Sequence, residues 1–307
     1  MAGAFTHFII ADVAKRDRSL PQDLFRLLNK YSHFLFLGAA SPDLPYLSIK
    51  TGQVNWADVM HYEKTNGIVA AGYDDLKSTW PFRSLGSDIK FVWLMGFVSH
   101  LIADATIHPI VQAIVGPYEE HKEEHRLCEM TQDSMIFNEL KNNDIYYAEF
   151  SSILKFCGKS DYFDGLMTFW KDLVARNYQD KKEQAHPALW VKTYSEAIDT
   201  AEGGSTVVGF FRHLGIADNY FYMPKEEIVT NYPEFHAKYY ENVKLPDGST
   251  ASFREAGFEK AVRNVVIAWG ALYLGLRSGV APRIVKNWNL DTGVNMDSPT
   301  GEVTYWV

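Results

Sequence analysis

Between Phe91 and Val115 the chain is almost entirely apolar, yet it sets His100, Asp104 and His108 into that run at four-residue intervals. On an α-helix a four-residue step turns the side-chain direction by only about 40°, so all three leave one face. A segment this apolar belongs in a protein core. An imidazole, a carboxylate and a second imidazole are costly to bury there unless they are paired or hold a metal. Composition alone would generate this His/Asp/His spacing on the order of 0.02 times in such a chain. The competing reading is a hydrogen-bonded polar triplet, the commoner fate of a single core histidine.

A second stripe follows at once. After the Gly116-Pro117 turn, His121, His125, Glu129 and Asp133 recur four residues apart. Two adjacent helices joined by a tight turn can face such stripes toward one cavity. Alone, the second stripe also reads as a solvated face, because residues 119–129 are heavily charged. Seven of the ten histidines lie in the first 125 residues. Only two cysteines are present, Cys128 and Cys157, and they fit neither a disulfide scaffold nor a CxxC site. A metal here must therefore take His and carboxylate ligands, which zinc accepts readily. An Asp flanked by two histidines on one helix is placed to bridge two ions.

The 307 residues suffice for one large domain or two small ones, and no linker or internal repeat divides them. The reading is a mostly α, single multi-helix domain, with a metal-binding core in 1–140. Residues 141–307 would supply a helical completion, an insertion or lid around 214–253, and a C-terminal tail that is ordered or a short strand. Helices are expected at 4–15, 21–37, 54–72, 88–115, 118–141, 144–156, 161–178, 188–201, 205–213 and 254–277. Turn chemistry is expected at 38–45 and a loop at 73–87. Trp56, Val59, Met60, Ile68 and Val69 are candidate core positions. The net charge of −8 disfavours a broad nucleic-acid surface. The apolar stretches 91–103 and 265–276 are short for a bilayer span, and no secretory leader is seen. The expectation is a cytoplasmic protein, with export by a non-classical route as the alternative.

Four segments resemble the zinc-dependent phospholipase C family, whose domain also forms the N-terminal part of glycosylphosphatidylinositol-specific phospholipase D and is related in fold to S1/P1-type nucleases. They are Thr6-His7, Gly38-Ala39-Ala40-Ser41-Pro42-Asp43, Met60-His61-Tyr62, and the run from Gly96 through His100, Asp104 and His108 to Pro109, followed by His125 and Glu129. The resemblance covers residues 1 to about 135, and its fourth segment is the specific one. It implies a trinuclear site: Asp43, His61, His100 and Asp104 on one metal, His108, His125 and Glu129 on a second, and His7 with a bridging Asp104 on a third. Asp43 would also be the general base. His7, Asp43 and His61 rest on the resemblance alone. Six residues beginning with Met1 precede His7, where secreted members present a mature N-terminal Trp to the third metal. The count implied is therefore two or three zinc ions.

The resemblance further implies phosphodiester hydrolysis, a hydroxide on the metals attacking phosphorus, with a phospholipid as the expected substrate class and transient contact with a membrane surface. The alternatives are a nuclease or small-molecule phosphodiesterase with the same site, a non-catalytic metal-binding or interaction protein, and metal chemistry on a non-phosphate substrate. Among the remaining polar residues, His121 reads as a surface histidine, and Asp133 either orients His125 or caps a solvated face. His33, His186, His213 and His236 read as ordinary histidines. Trp80, Phe82, Tyr146, Tyr147 and Phe150 line a cleft or join the core.

Overall fold

The computed structural model describes residues 3–48, 52–82, 84–143, 150–202, 223–280 and 282–306. The expected helix at 205–213, His213, Tyr146 and Tyr147 lie outside the described residues, as does the side chain of Phe150.

The described chain is mostly helical. Its axis is α6 (Leu85–Val115), 31 residues and so about 46 Å long at 1.5 Å per residue. Ser84 starts it by accepting a hydrogen bond from the Ser87 N–H, and Gly116 ends it. Every residue from 91 to 111 is buried, so α6 is surrounded on all sides. By length and apolarity alone it could cross a membrane, but its apolar window is wholly inside the protein: it is a core helix.

Against it pack α1 (Ala4–Ala14), α2 (Gln22–Lys30), α3 (Ser32–Ala40), α5 (Gly67–Ser78), α7 (Lys122–Lys141) and α9 (Phe163–Asn177), while α4 (Asn55–Tyr62) lies on the turn at Leu44–Leu47, α8 (Phe150–Gly158) on α3, and α10 (Pro187–Glu202) on α8 and α9. After α11 (Lys225–Asn231), a helical turn at Pro233–His236 and a π-type turn at Ala237–Glu241 lead into a hairpin of β1 (Val243–Lys244) and β2 (Thr250–Ala251). A second π-type turn, Arg254–Glu259, runs into α12 (Lys260–Ser278). The chain closes with a second antiparallel hairpin, β3 (Trp288–Asn289) on β4 (Val294–Asn295), and a bridge from Val294 to Val303. One hydrophobic core runs from Ile9 through Trp93, Trp170, Trp190 and Trp269 to Leu290.

Three elements differ from the sequence expectation. The segment expected as one helix over 21–37 is two, divided at Tyr31, whose φ of −113° and ψ of 34° leave the helical region. The turn expected to begin at Gly38 begins at Ser41 instead. Gly38 stays helical because its missing side chain lets α3 cross α6: a Cβ there would fall 2.0 Å from the Trp93 carbonyl oxygen, and one on Gly96 2.0 Å from that of Leu35. The helix expected over 54–72 breaks after Tyr62 and resumes at Gly67, running on to Ser78 into the expected loop. Its five proposed core residues are all buried.

The region suspected of being a lid is packed where it is described. Tyr239, Tyr240, Val243 and Leu245 are buried, and Gln132 on α7 donates to the Tyr239 carbonyl at 3.2 Å. Trp80 and Phe82 sit edge-on to each other and pack against Tyr273 and Phe91, joining the core.

Candidate metal centre

Five elements deliver the predicted ligands. α6 carries His100, Asp104 and His108 on one buried face, α1 brings His7, the turn after α3 brings Asp43, α4 brings His61, and α7 brings His125 and Glu129. All eight are buried.

Asp104 lies at the middle. Its Oδ1 is 3.2 Å from His7 Nε2 and 3.4 Å from His108 Nε2. Its Oδ2 is 3.1 Å from His100 Nε2 and 3.7 Å from His61 Nε2. Asp43 Oδ1 is 3.2 Å from His61 Nε2 and 3.8 Å from His100 Nε2. The His7 and His100 rings stack at 3.9 Å, and His108 Nε2 is 3.9 Å from Glu129 Oε1. Two sets of ligand atoms each lie within 4.8 Å of one another, His7/His100/Asp104 and Asp43/His61/His100, so His100 is common to both. His125 is held differently: its Nε2 meets the Gly116 carbonyl at 2.7 Å, so only Nδ1 is left to offer a metal, and His125 is in neither compact ligand group.

Backbone carbonyls orient the rings. Nδ1 of His61 meets the Ala57 carbonyl at 2.7 Å, Nδ1 of His100 that of Ala39 at 2.8 Å, and Nδ1 of His108 that of Leu290 at 2.5 Å. A carbonyl only accepts, so each Nδ1 carries the proton, and a neutral ring then presents a lone pair at Nε2. This is the usual anchoring of a metal-bound histidine by its second nitrogen. It also leaves His61 Nε2 and His100 Nε2 facing each other across 3.3 Å. Two lone pairs that close repel unless a cation lies between them. Asp43 Oδ1 and His108 Nε2 are likewise buried with no hydrogen bond to satisfy them, and polar atoms in that condition are rare. The donor set therefore fits a divalent metal such as zinc with nitrogen and oxygen ligands.

Charge balance agrees at five of the eight groups. Burial works against the charged form of Asp43 and Asp104, but the surrounding imidazoles outweigh it and hold both carboxyls below the ordinary range. Burial lowers His100 and brings His108 down to about 4, and it also lowers His125. For His7 and His61 burial is outweighed by Asp104 and Asp43, which raise them. Burial lifts the Glu129 carboxyl to about 7. Asp43 and Asp104 ionised beside neutral His100, His108 and His125 match the protonation states a metal requires, whereas the raised His7, His61 and Glu129 would have to give up protons for it to bind.

Asp133, fully buried, takes neither role expected of it. It accepts from the backbone N–H groups of Phe5 and Thr6 and from the Thr6 hydroxyl, so it caps α1. His121 is a half-exposed residue just before α7, 4.0 Å from Glu124. His33 stacks on Phe156, the His186 backbone N–H bonds Gln53, and His236 lies 3.6 Å from Glu241.

Sequence reasoning missed the C-terminal hairpin. Leu290 donates its N–H to the His61 carbonyl at 3.0 Å and accepts from His108. Beside it Asp291 Oδ2 accepts from the Tyr62 hydroxyl at 2.7 Å. Tyr62 adjoins His61 in a recognisable segment, but a backbone carbonyl leaves no trace in a sequence.

A model of the zinc-dependent phospholipase C family matches residues 6–180, more than half of the chain and a span containing all eight candidate ligands. No curated protein and no solved structure matches it. With its helical fold and its buried histidine–carboxylate centre, the chain belongs to the zinc-dependent phospholipase C family.

Proposed function

We propose that this protein is a zinc-dependent phosphodiesterase that cleaves phospholipid head groups in the manner of a phospholipase C, with His7, Asp43, His61, His100, Asp104, His108, His125 and Glu129 holding two or three zinc ions. One observation carries the metal assignment: the His61 and His100 nitrogens oppose each other at 3.3 Å while both rings spend their proton on backbone carbonyls. Bound zinc would supply Lewis acidity toward phosphoryl oxygens and would lower the pKa of water toward neutrality.

The chain's own residues do the rest. Asp104, central and fully buried, brings negative charge to the middle of the ligand set and would offset repulsion between like-charged ions held there. Asp43 has its side chain 9% exposed, against 0% for Asp104, His61 and His100, so it borders the side open to water. Held ionised, its carboxylate is the group able to accept a proton from the attacking water. The carbonyl-anchored rings keep this geometry fixed before substrate arrives. A polynucleotide is the less suitable substrate, given the net charge of −8 and the carboxylates of Asp58 and Asp291 near Tyr46 and Tyr62.

The test is elemental analysis of the purified protein together with hydrolysis of a chromogenic phosphodiester and of phospholipid vesicles, each with and without chelator. Two or three zinc ions with chelator-sensitive release of a phosphorylated head group support the proposal. Asp43→Asn should then lower kcat by roughly 10²–10⁴-fold. Absence of stoichiometric metal after zinc is added back overturns it.

A further inference from the structure

The C-terminal hairpin reaches the centre from outside the family-matched span, and it touches two histidines from different helices through one residue. Leu290 gives its N–H to the His61 carbonyl and its carbonyl to His108 Nδ1. Several contacts seat the hairpin. Pro109 has no N–H, so the Ala105 carbonyl loses its helical partner. Gly293 settles against that notch with φ at +67°, and a Cβ there would lie 2.7 Å from the Ala105 oxygen and 2.6 Å from the Pro109 ring. Thr65 donates to the Trp288 carbonyl, and Trp306 to that of Thr106. Among the described residues, the one side-chain hydrogen bond between the hairpin's tip and the helix bearing His61 runs from Tyr62 to Asp291. Asp291 is the residue after Leu290, and its Oδ1 lies 3.9 Å from His108 Nδ1.

We infer that Tyr62 and Asp291 are positioning residues: their hydrogen bond latches the C-terminal hairpin so that the Leu290 carbonyl fixes the tautomer and orientation of His108 for metal binding. This rests on the zinc reading of the site. Without the latch, Leu290 is held only by its N–H bond to His61 and the hairpin's outer contacts, and the looser carbonyl lets His108 present either nitrogen. The loss then falls on the ion that His108 serves, while the ion between His61, His100 and Asp43 keeps its ligands. Loss of an anchor of this kind weakens metal binding by roughly 10–100-fold.

The experiment uses the full chain, stripped of metal and titrated with zinc against a chromogenic chelator, with visible absorption of the cobalt-substituted protein as a second readout. Tyr62→Phe and Asp291→Ala should each weaken one ion by roughly 10–100-fold, change the cobalt spectrum, and leave the melting temperature of the metal-free protein unchanged. Asp291→Asn, which still accepts from Tyr62, should restore binding to near the wild-type value. Wild-type zinc affinity and spectrum in both Tyr62→Phe and Asp291→Ala overturn the latch, as does an Asp291→Asn variant as weak as Asp291→Ala. A uniform weakening of every ion with a lowered metal-free melting temperature overturns it too, since that marks a general structural role. A wild-type protein that binds no zinc overturns the metal reading itself, a result visible before any variant is compared.

Discussion

Asp133 Oδ1 accepts two hydrogen bonds from one residue, 2.8 Å from the Thr6 N–H and 2.6 Å from the Thr6 hydroxyl. α1 has no side-chain cap of its own, so the helix that carries His125 and Glu129 also caps the helix that carries His7. A side-chain acceptor there satisfies N–H groups that the helix leaves orphaned.

Asp133→Ala should therefore destabilise the metal-free protein by about 1–3 kcal/mol, since it strands buried donors. Urea denaturation of both forms measures this. An unchanged midpoint would show that α1 is held by packing alone.

His100 belongs to both compact ligand groups. His100→Ala should reduce zinc below stoichiometry and hydrolysis to background together, whereas a variant at half-exposed His121 should leave both as they are. Zinc content and turnover on the same preparations decide it; full zinc retention in His100→Ala would refute the shared-ligand assignment.

The crossing of α3 and α6 leaves no space at Gly96. A methyl group there meets a backbone oxygen, which cannot rotate away as a side chain can, so Gly96→Ala should cost roughly 3 kcal/mol or more. Thermal unfolding checks this, and a loss under 1 kcal/mol would mean that the two helices slide apart cheaply.

Asp12 on α1 is buried among Lys15, Arg16 and Lys141. Burial opposes its ionisation, but the bonds to Lys141 and Lys15 prevail and its pKa is lowered. A lowered folded pKa means that the stabilisation is present above the unfolded value of about 3.9 and fades as pH falls through the folded one. The stability difference between wild type and Asp12→Asn should be about 1–3 kcal/mol at pH 7 and should shrink below about pH 4. Denaturation curves over a pH series test it; a difference that is flat with pH would count against the ion pairs.

The His100–Asp104–His108 face was legible because one buried helix carries all three at a fixed period. α9, α10 and α12 were legible because their apolar spacing is uninterrupted. Gly38 was misread because a glycine that permits close helix crossing looks the same, locally, as one that makes a turn. Tyr31 shows no composition that marks a break. His7, Asp43 and His61 have no mutual spacing, and only the family resemblance selected them. Asp133 was noticed, but its partner is 127 residues away, beyond any local pattern.

Leu290 lies 182 residues after His108. A ribosome adding roughly 5–20 residues per second makes it about 10–40 s later. During that interval the long central helix and its neighbours can assemble, but His108 has no carbonyl to hold its ring. Completion of the centre is thus tied to synthesis of the hairpin, and a chain stopped before Leu290 lacks the anchor of His108 whatever the supply of metal.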